Sequence, residues 1–120
     1  MKENIIQQKS FDFAIRIVNA CKYLQTEKRE FVLSKQMLRS GTSIGANIEE
    51  AIGGQSKKDF IAKNSIAYKE ARETMYWIKL IKATSFMDEK QADSLIDDAD
   101  ELCKILSSIL VSSKKNILNS

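Results

Sequence analysis

The chain contains no proline, and over 120 residues that limits its fold more than any other feature. Proline ends helices and shapes tight turns, so its absence removes a common reason for a helix to stop. Glycine is almost as scarce: there are four, two of them adjacent at Gly53-Gly54. Such a chain favours long helices joined by short loops. With 43% apolar and 29% charged residues it has the composition of a globular protein rather than a disordered one. No stretch approaches the roughly 20 apolar residues that span a bilayer, so no membrane contact is expected.

Apolar spacing divides the chain into four helices. The first is expected from about Ser10 to Gln25, with the Ser10 hydroxyl capping its first turn. The second runs from about Arg29 to Ile52 and stops at Gly53-Gly54. The third opens at Ser56, with Asp59 three residues later, and runs to about Thr84 as the longest of the four. The fourth opens at Asp88, with Gln91 three residues later, and runs to about Ser113. Residues 1–8 and the last few are expected to fray. Short connections make consecutive helices antiparallel, so the expected fold is all-α, an up-down-up-down four-helix bundle. It is expected to form a single domain over residues 1–120, with its core at about 8–113.

Two helices carry more apolar surface than one core uses. In the first, Phe11, Ala14, Ile15, Val18 and Cys21 make one face, and Phe13, Ile17, Ala20 and Leu24 make a second beside it. The end of the third, Tyr76-Trp77-Ile78-Lys79-Leu80-Ile81, is apolar nearly all round. The fourth is different, with one stripe from Ala92 to Leu110 that suits a single core. The excess points to a second interface, most simply between copies of the chain, although a wide monomer core is the alternative.

The second helix contains an unexpected segment, Arg39-Ser40-Gly41-Thr42-Ser43-Ile44-Gly45-Ala46-Asn47-Ile48-Glu49-Glu50. Each glycine inside a helix costs about 1 kcal/mol relative to alanine. Gly41 and Gly45 share a face with Leu38 and Ile48, where missing side chains let another helix approach. Asn47 lies one step off that stripe and is expected to fix register between helices. Arg39, Ser43 and Glu50 lie along the adjacent face, where Arg39 can pair with a carboxylate. A ligand or RNA site in this segment stays open beside the packing reading.

Little in the chain suggests catalysis. It has no histidine, which removes His acid–base chemistry and His metal ligands. Neither a nucleotide-binding glycine loop nor a CxxC pair is present. The chain is therefore read as non-enzymatic, with no catalytic or metal-binding residue and no cofactor. Carboxylate pairs such as Glu49-Glu50, Glu70/Glu73 and Asp97-Asp98 read as solvated or ion-paired surface. Cys21 and Cys103 read as buried free thiols, with a disulfide between the first and last helices as the alternative. Met1-Lys2-Glu3-Asn4 lacks the charged-then-apolar layout of a secretory signal, so a cytoplasmic location is expected.

Charge is unevenly spread behind a net +3. Residues 1–87 hold fifteen Lys/Arg against nine Asp/Glu, while residues 88–103 hold seven acids and one lysine. Those acids can complement the fourth helix's dipole, or face a basic strip on another subunit or a basic partner. On the third helix, Lys58, Ser65, Lys69, Arg72, Tyr76 and Lys79 fall on one face with Tyr68 at its edge. Cations that neutralise phosphates beside rings that stack on bases suit RNA or DNA, although a solvated lysine face looks similar.

The glycine-containing segment resembles the signature of the bacterial four-helix proteins first noted as reading frames in 23S rRNA intervening sequences, approximately R-x-x-x-S-I-x-x-N-I-x-E-G. The likeness continues through Ser56-Lys57-Lys58-Asp59-Phe60 and Ile66-Ala67-Tyr68-Lys69-Glu70-Ala71-Arg72-Glu73-Thr74, covering about residues 8–112. The chain departs from the pattern at Glu50-Ala51, where relatives often have Glu-Gly, and at Lys69-Glu70-Ala71, where many have Gly-Ser. The resemblance implies a homopentameric barrel of four-helix protomers. It also implies kinship to the accessory variability determinant of diversity-generating retroelements, a basic pentamer that associates with a reverse transcriptase and RNA. For most of the family no activity is established. Two functions follow as expectations: a homo-oligomer that binds RNA through the third helix, or a protein-interaction scaffold or accessory subunit without nucleic-acid contact.

Overall fold

A computed structural model describes residues 2–118, with side chains from Ile5 onward. Four helices run up-down-up-down: α1 (Lys2–Glu27), α2 (Leu33–Ile52), α3 (Lys57–Ala83) and α4 (Glu89–Leu118). They pack as a square 52 Å long and 21 Å across, each helix on its two neighbours, with the α1–α4 seam the thinnest. The core runs the length of the bundle through Ile6, Phe13, Ile17 and Leu24 of α1, Met37, Ile44 and Ile48 of α2, Ile78 and Ile81 of α3, and Leu102 and Leu106 of α4.

Several helix ends follow the expected chemistry. The Ser56 hydroxyl accepts from the Asp59 amide at 3.0 Å and caps α3. The Asp88 carboxylate accepts from the Gln91 amide at 3.1 Å and opens α4. At the far end of α3 the Phe86 amide reaches Ile81 O and the Ser85 amide reaches Lys82 O, with Ser85 at φ 65°. That is a Schellman turn with serine in the left-handed position where glycine is usual.

Other ends differ from expectation. Ser10 is not a cap: α1 begins at Lys2, and Ser10 is buried mid-helix, donating to Gln7 O at 3.0 Å. The turns before it hold because Ile6 is buried and the Gln7 amide donates to Glu49 Oε1 at 2.7 Å. Residues 2–8 are thus helical, while Met1, Asn119 and Ser120 lie outside the described residues. α2 starts at Leu33 rather than Arg29, because Arg29 adopts φ 54° and turns the chain after α1. α4 runs past Ser113 to Leu118, which makes it, not α3, the longest helix.

Glu30 does the capping that the sequence reading missed. Its carboxylate accepts from the amides of Val32, Leu33 and Ser34 at 3.1, 3.0 and 2.7 Å, and its own carbonyl accepts from the Ser34 hydroxyl. Burial alone would raise the Glu30 pKa. The Leu33, Ser34 and Val32 amides outweigh burial and hold it below the usual carboxylate value.

Candidate nucleic-acid interface

The glycines of α2 face α1. A side-chain carbon at Gly41 would lie 2.8 Å from Ile17 Cγ2, closer than real contacts allow. One at Gly45 would meet Ser10 at an ordinary 3.5 Å. Ser10 and Gly41 are therefore small where α1 and α2 come together. Asn47 does not bridge helices as expected: its amide donates to Ser43 O and Ser43 Oγ, one turn back on its own helix. A buried polar tie between α2 and α3 is made instead by Ser40 and Thr74, both fully buried, with hydroxyl oxygens 2.9 Å apart. Ser40 Oγ also lies 3.0 Å from Gln36 O, and Thr74 Oγ1 lies 2.7 Å from Glu70 O. The carbonyls only accept, so the two hydroxyl protons make two of these three contacts at a time, and neither hydroxyl is left unsatisfied.

Arg39 reaches across from α2 to α3, as its position suggested. Its guanidinium bonds Glu70 at 3.3 Å and also Glu73. The same Glu73 oxygen accepts from the Trp77 indole N–H at 2.9 Å. Trp77 meets Tyr76 edge-to-face, with ring centroids 5.1 Å apart and planes at 72°. Farther down the same seam Glu50 pairs with Lys63 at 3.0 Å, and this raises the Lys63 pKa. Glu70 and Glu73, read from the sequence as solvated or ion-paired surface, are ion-paired, and their shared partner Arg39 is what the sequence left unassigned. Their spacing of three on α3, opposite an arginine on α2, was the available signal.

On the outer side of α3, Lys58, Lys69, Arg72, Tyr76 and Lys79 are all exposed, with Ser65 and Tyr68 half-buried beside them. Arg72 donates to the Tyr68 hydroxyl at 3.3 Å, which raises its pKa, and lies 5.9 Å from that ring's centre. Among the described residues, Lys58, Lys69 and Lys79 contact no carboxylate, as is also true of Lys22, Lys28, Lys35 and Lys90 elsewhere, whereas Lys9, Arg16, Arg39, Lys63, Lys82 and Lys104 each do. The side chains expected on one face do share it, and its cations are unneutralised.

The acids of α4 meet bases of the same chain. Asp98 binds Arg16 at 2.5 Å and Glu101 binds Lys9 at 3.2 Å, clamping the thin α1–α4 seam. Asp93 binds Lys82 at 2.6 Å and raises the lysine's pKa; Asp100 does the same to Lys104 at 3.0 Å. An open cleft of about 990 Å³ at the α3–α4 loop mixes Lys28, Lys79 and Lys82 with Asp88, Glu89 and Asp93. Both cysteines are free, which removes the disulfide alternative, and burial pushes both thiols up. The outer face of α1 stays uncovered, with Phe11 63% and Ile15 48% exposed.

These features define a class: an antiparallel four-helix bundle whose second helix docks closely on the first and whose third helix presents an unpaired basic and aromatic face. More particularly, the chain belongs to the 23S rRNA-intervening sequence protein family, whose sequence model it matches over residues 2–108. It is 53% identical to a crystallographically solved protein of unknown function from the S23 ribosomal protein family of Bacteroides thetaiotaomicron. That likeness has a TM-score of 0.90 and covers 92% of this chain and 98% of the other. No curated protein sequence matches. No helix among the described residues is long and apolar enough to cross a membrane.

Proposed function

We propose that the protein is a non-enzymatic homo-oligomer that binds nucleic acid, chiefly structured RNA, through the outer face of α3. One observation carries this reading: Lys58, Lys69, Arg72 and Lys79 are exposed along the same face of α3 as the Tyr76 ring, and no carboxylate contacts the lysines. Phosphate oxygens are the natural counter-charge for such a face. Self-association is supported by Phe11 and Ile15 on the outer side of α1, large apolar side chains that the bundle leaves in water. The number five rests on the family resemblance. Repeating the α3 face around a ring would add avidity to weak single contacts.

The same exposed α1 residues also favour a second reading, a scaffold or accessory subunit that grips another protein, such as a reverse transcriptase. One experiment separates the two. Lys69→Glu, Arg72→Glu and Lys79→Glu together are expected to abolish micromolar RNA binding at low salt while leaving the helical circular dichroism spectrum and the sedimentation coefficient unchanged. Absence of micromolar affinity in the unaltered protein would defeat the nucleic-acid reading. A stable monomer at high micromolar concentration would defeat the oligomer.

A further inference from the structure

Resting on that nucleic-acid reading, we infer that Tyr76 is a stacking platform for an unpaired nucleobase, and that the family-signature residue Arg39 of α2 holds this platform in place through the neighbouring Glu73 and Trp77. The face therefore recognises single-stranded segments of RNA, not phosphate alone.

Geometry carries the inference. Tyr76 is 58% exposed although its neighbours Trp77 and Ile78 turn toward the core. An exposed aromatic is common; one whose orientation is set by its surroundings is less so. Tyr76 rests edge-to-face against Trp77, the indole N–H of Trp77 is held by Glu73, and the same Glu73 oxygen is held by Arg39. Three side chains on two helices thus back one ring at the surface. A ring held this way loses little conformational freedom when a base stacks on it.

Charge completes the arrangement. Arg72 lies one turn before Tyr76 and Lys79 about one turn after, so cations flank the ring on both sides along the helix. Arg72 is itself steadied by the Tyr68 hydroxyl and ring. An aromatic between cations is the combination that binds single strands, with the cations following the backbone and the ring taking a base. A paired base offers no free face to a side chain, so duplex RNA would use only the cations. Arg39 is a positioning residue here. It acts through Glu73 and Trp77, and does not contact the nucleic acid.

The test compares two fluorescently labelled probes of equal length and phosphate number, a mixed-sequence single-stranded RNA and its abasic counterpart, by anisotropy at low salt. The base-bearing probe is expected to bind about five- to a hundredfold more tightly, the range of one base–aromatic stack. Tyr76→Leu should reduce its affinity to that of the abasic probe and leave abasic binding unchanged, while Tyr76→Phe should preserve the difference. Arg39→Gln should shrink the difference without altering abasic affinity, an effect that mere loss of stability would not produce. Quenching of Trp77, the only tryptophan, should accompany the base-bearing probe alone. Equal binding of the two probes would overturn the stacking inference while leaving the phosphate reading standing, as would a base-dependent gain that survives Tyr76→Leu. Binding of neither probe would overturn both, and return the face to a protein-contact role.

Discussion

Gly41 of α2 sits directly against Ile17 of α1: a methyl group added to the glycine would fall 2.8 Å from Ile17 Cγ2 and 2.9 Å from Cγ1. Ile17 is fully buried and cannot swing aside into water. Gly41→Ala is therefore expected to destabilise the fold. The helix-propensity gain of about 1 kcal/mol is outweighed by an overpacking cost of about 1–3 kcal/mol. Gly45→Ala meets only an ordinary contact, so the propensity gain of up to about 1 kcal/mol should prevail. Urea midpoints of the two variants should move in opposite directions, and a common direction would refute this account of the segment.

The Glu30 carboxylate bonds three amides at the start of α2 and has a lowered pKa. A carboxylate whose folded pKa is lowered stabilises the fold above its unfolded pKa, near the ordinary value of 4.5, and that contribution is lost as pH falls through the lower folded value. Glu30→Gln should cost about 1–2 kcal/mol at neutral pH, the scale of a lost cap. Its stability curve should converge on that of the unaltered protein as the solution is acidified below that value. Parallel curves would contradict the assignment.

Ser85 occupies the left-handed position of the Schellman turn that ends α3, at φ 65°. Residues with a Cβ pay for that conformation and glycine does not. Ser85→Gly should stabilise the protein by about 0.5–1 kcal/mol after the extra freedom of the unfolded glycine is counted. Thermal melting checks this, and a lower melting temperature would contradict it.

What the sequence revealed and concealed follows from the range of the interactions. Apolar spacing and the Ser56 and Asp88 caps act within a turn or two, so the bundle and two of its helix starts could be read from residue order. Ser10 misled because a serine that permits helix contact and a serine that caps look alike until the partner, Gly45, is known. Asn47 misled in the converse way, since its partner Ser43 was close at hand and no second helix was needed. The basic face of α3 was legible because its residues share one helix. The Arg39–Glu73–Trp77 link behind it was not, because 34 residues separate Arg39 from Glu73 and only the packing of α2 on α3 joins them.

Salt dependence of RNA binding tests the central claim most directly. Lys58, Lys69, Arg72 and Lys79 of one protomer each neutralise a phosphate in this account. The logarithm of the binding constant should then fall with the logarithm of salt concentration at a slope of about −3 for a single strand, and Lys69→Ala should make it shallower by about 0.7. A slope near zero, or one that alanine at none of these four positions changes, would contradict the assignment of this face to nucleic acid.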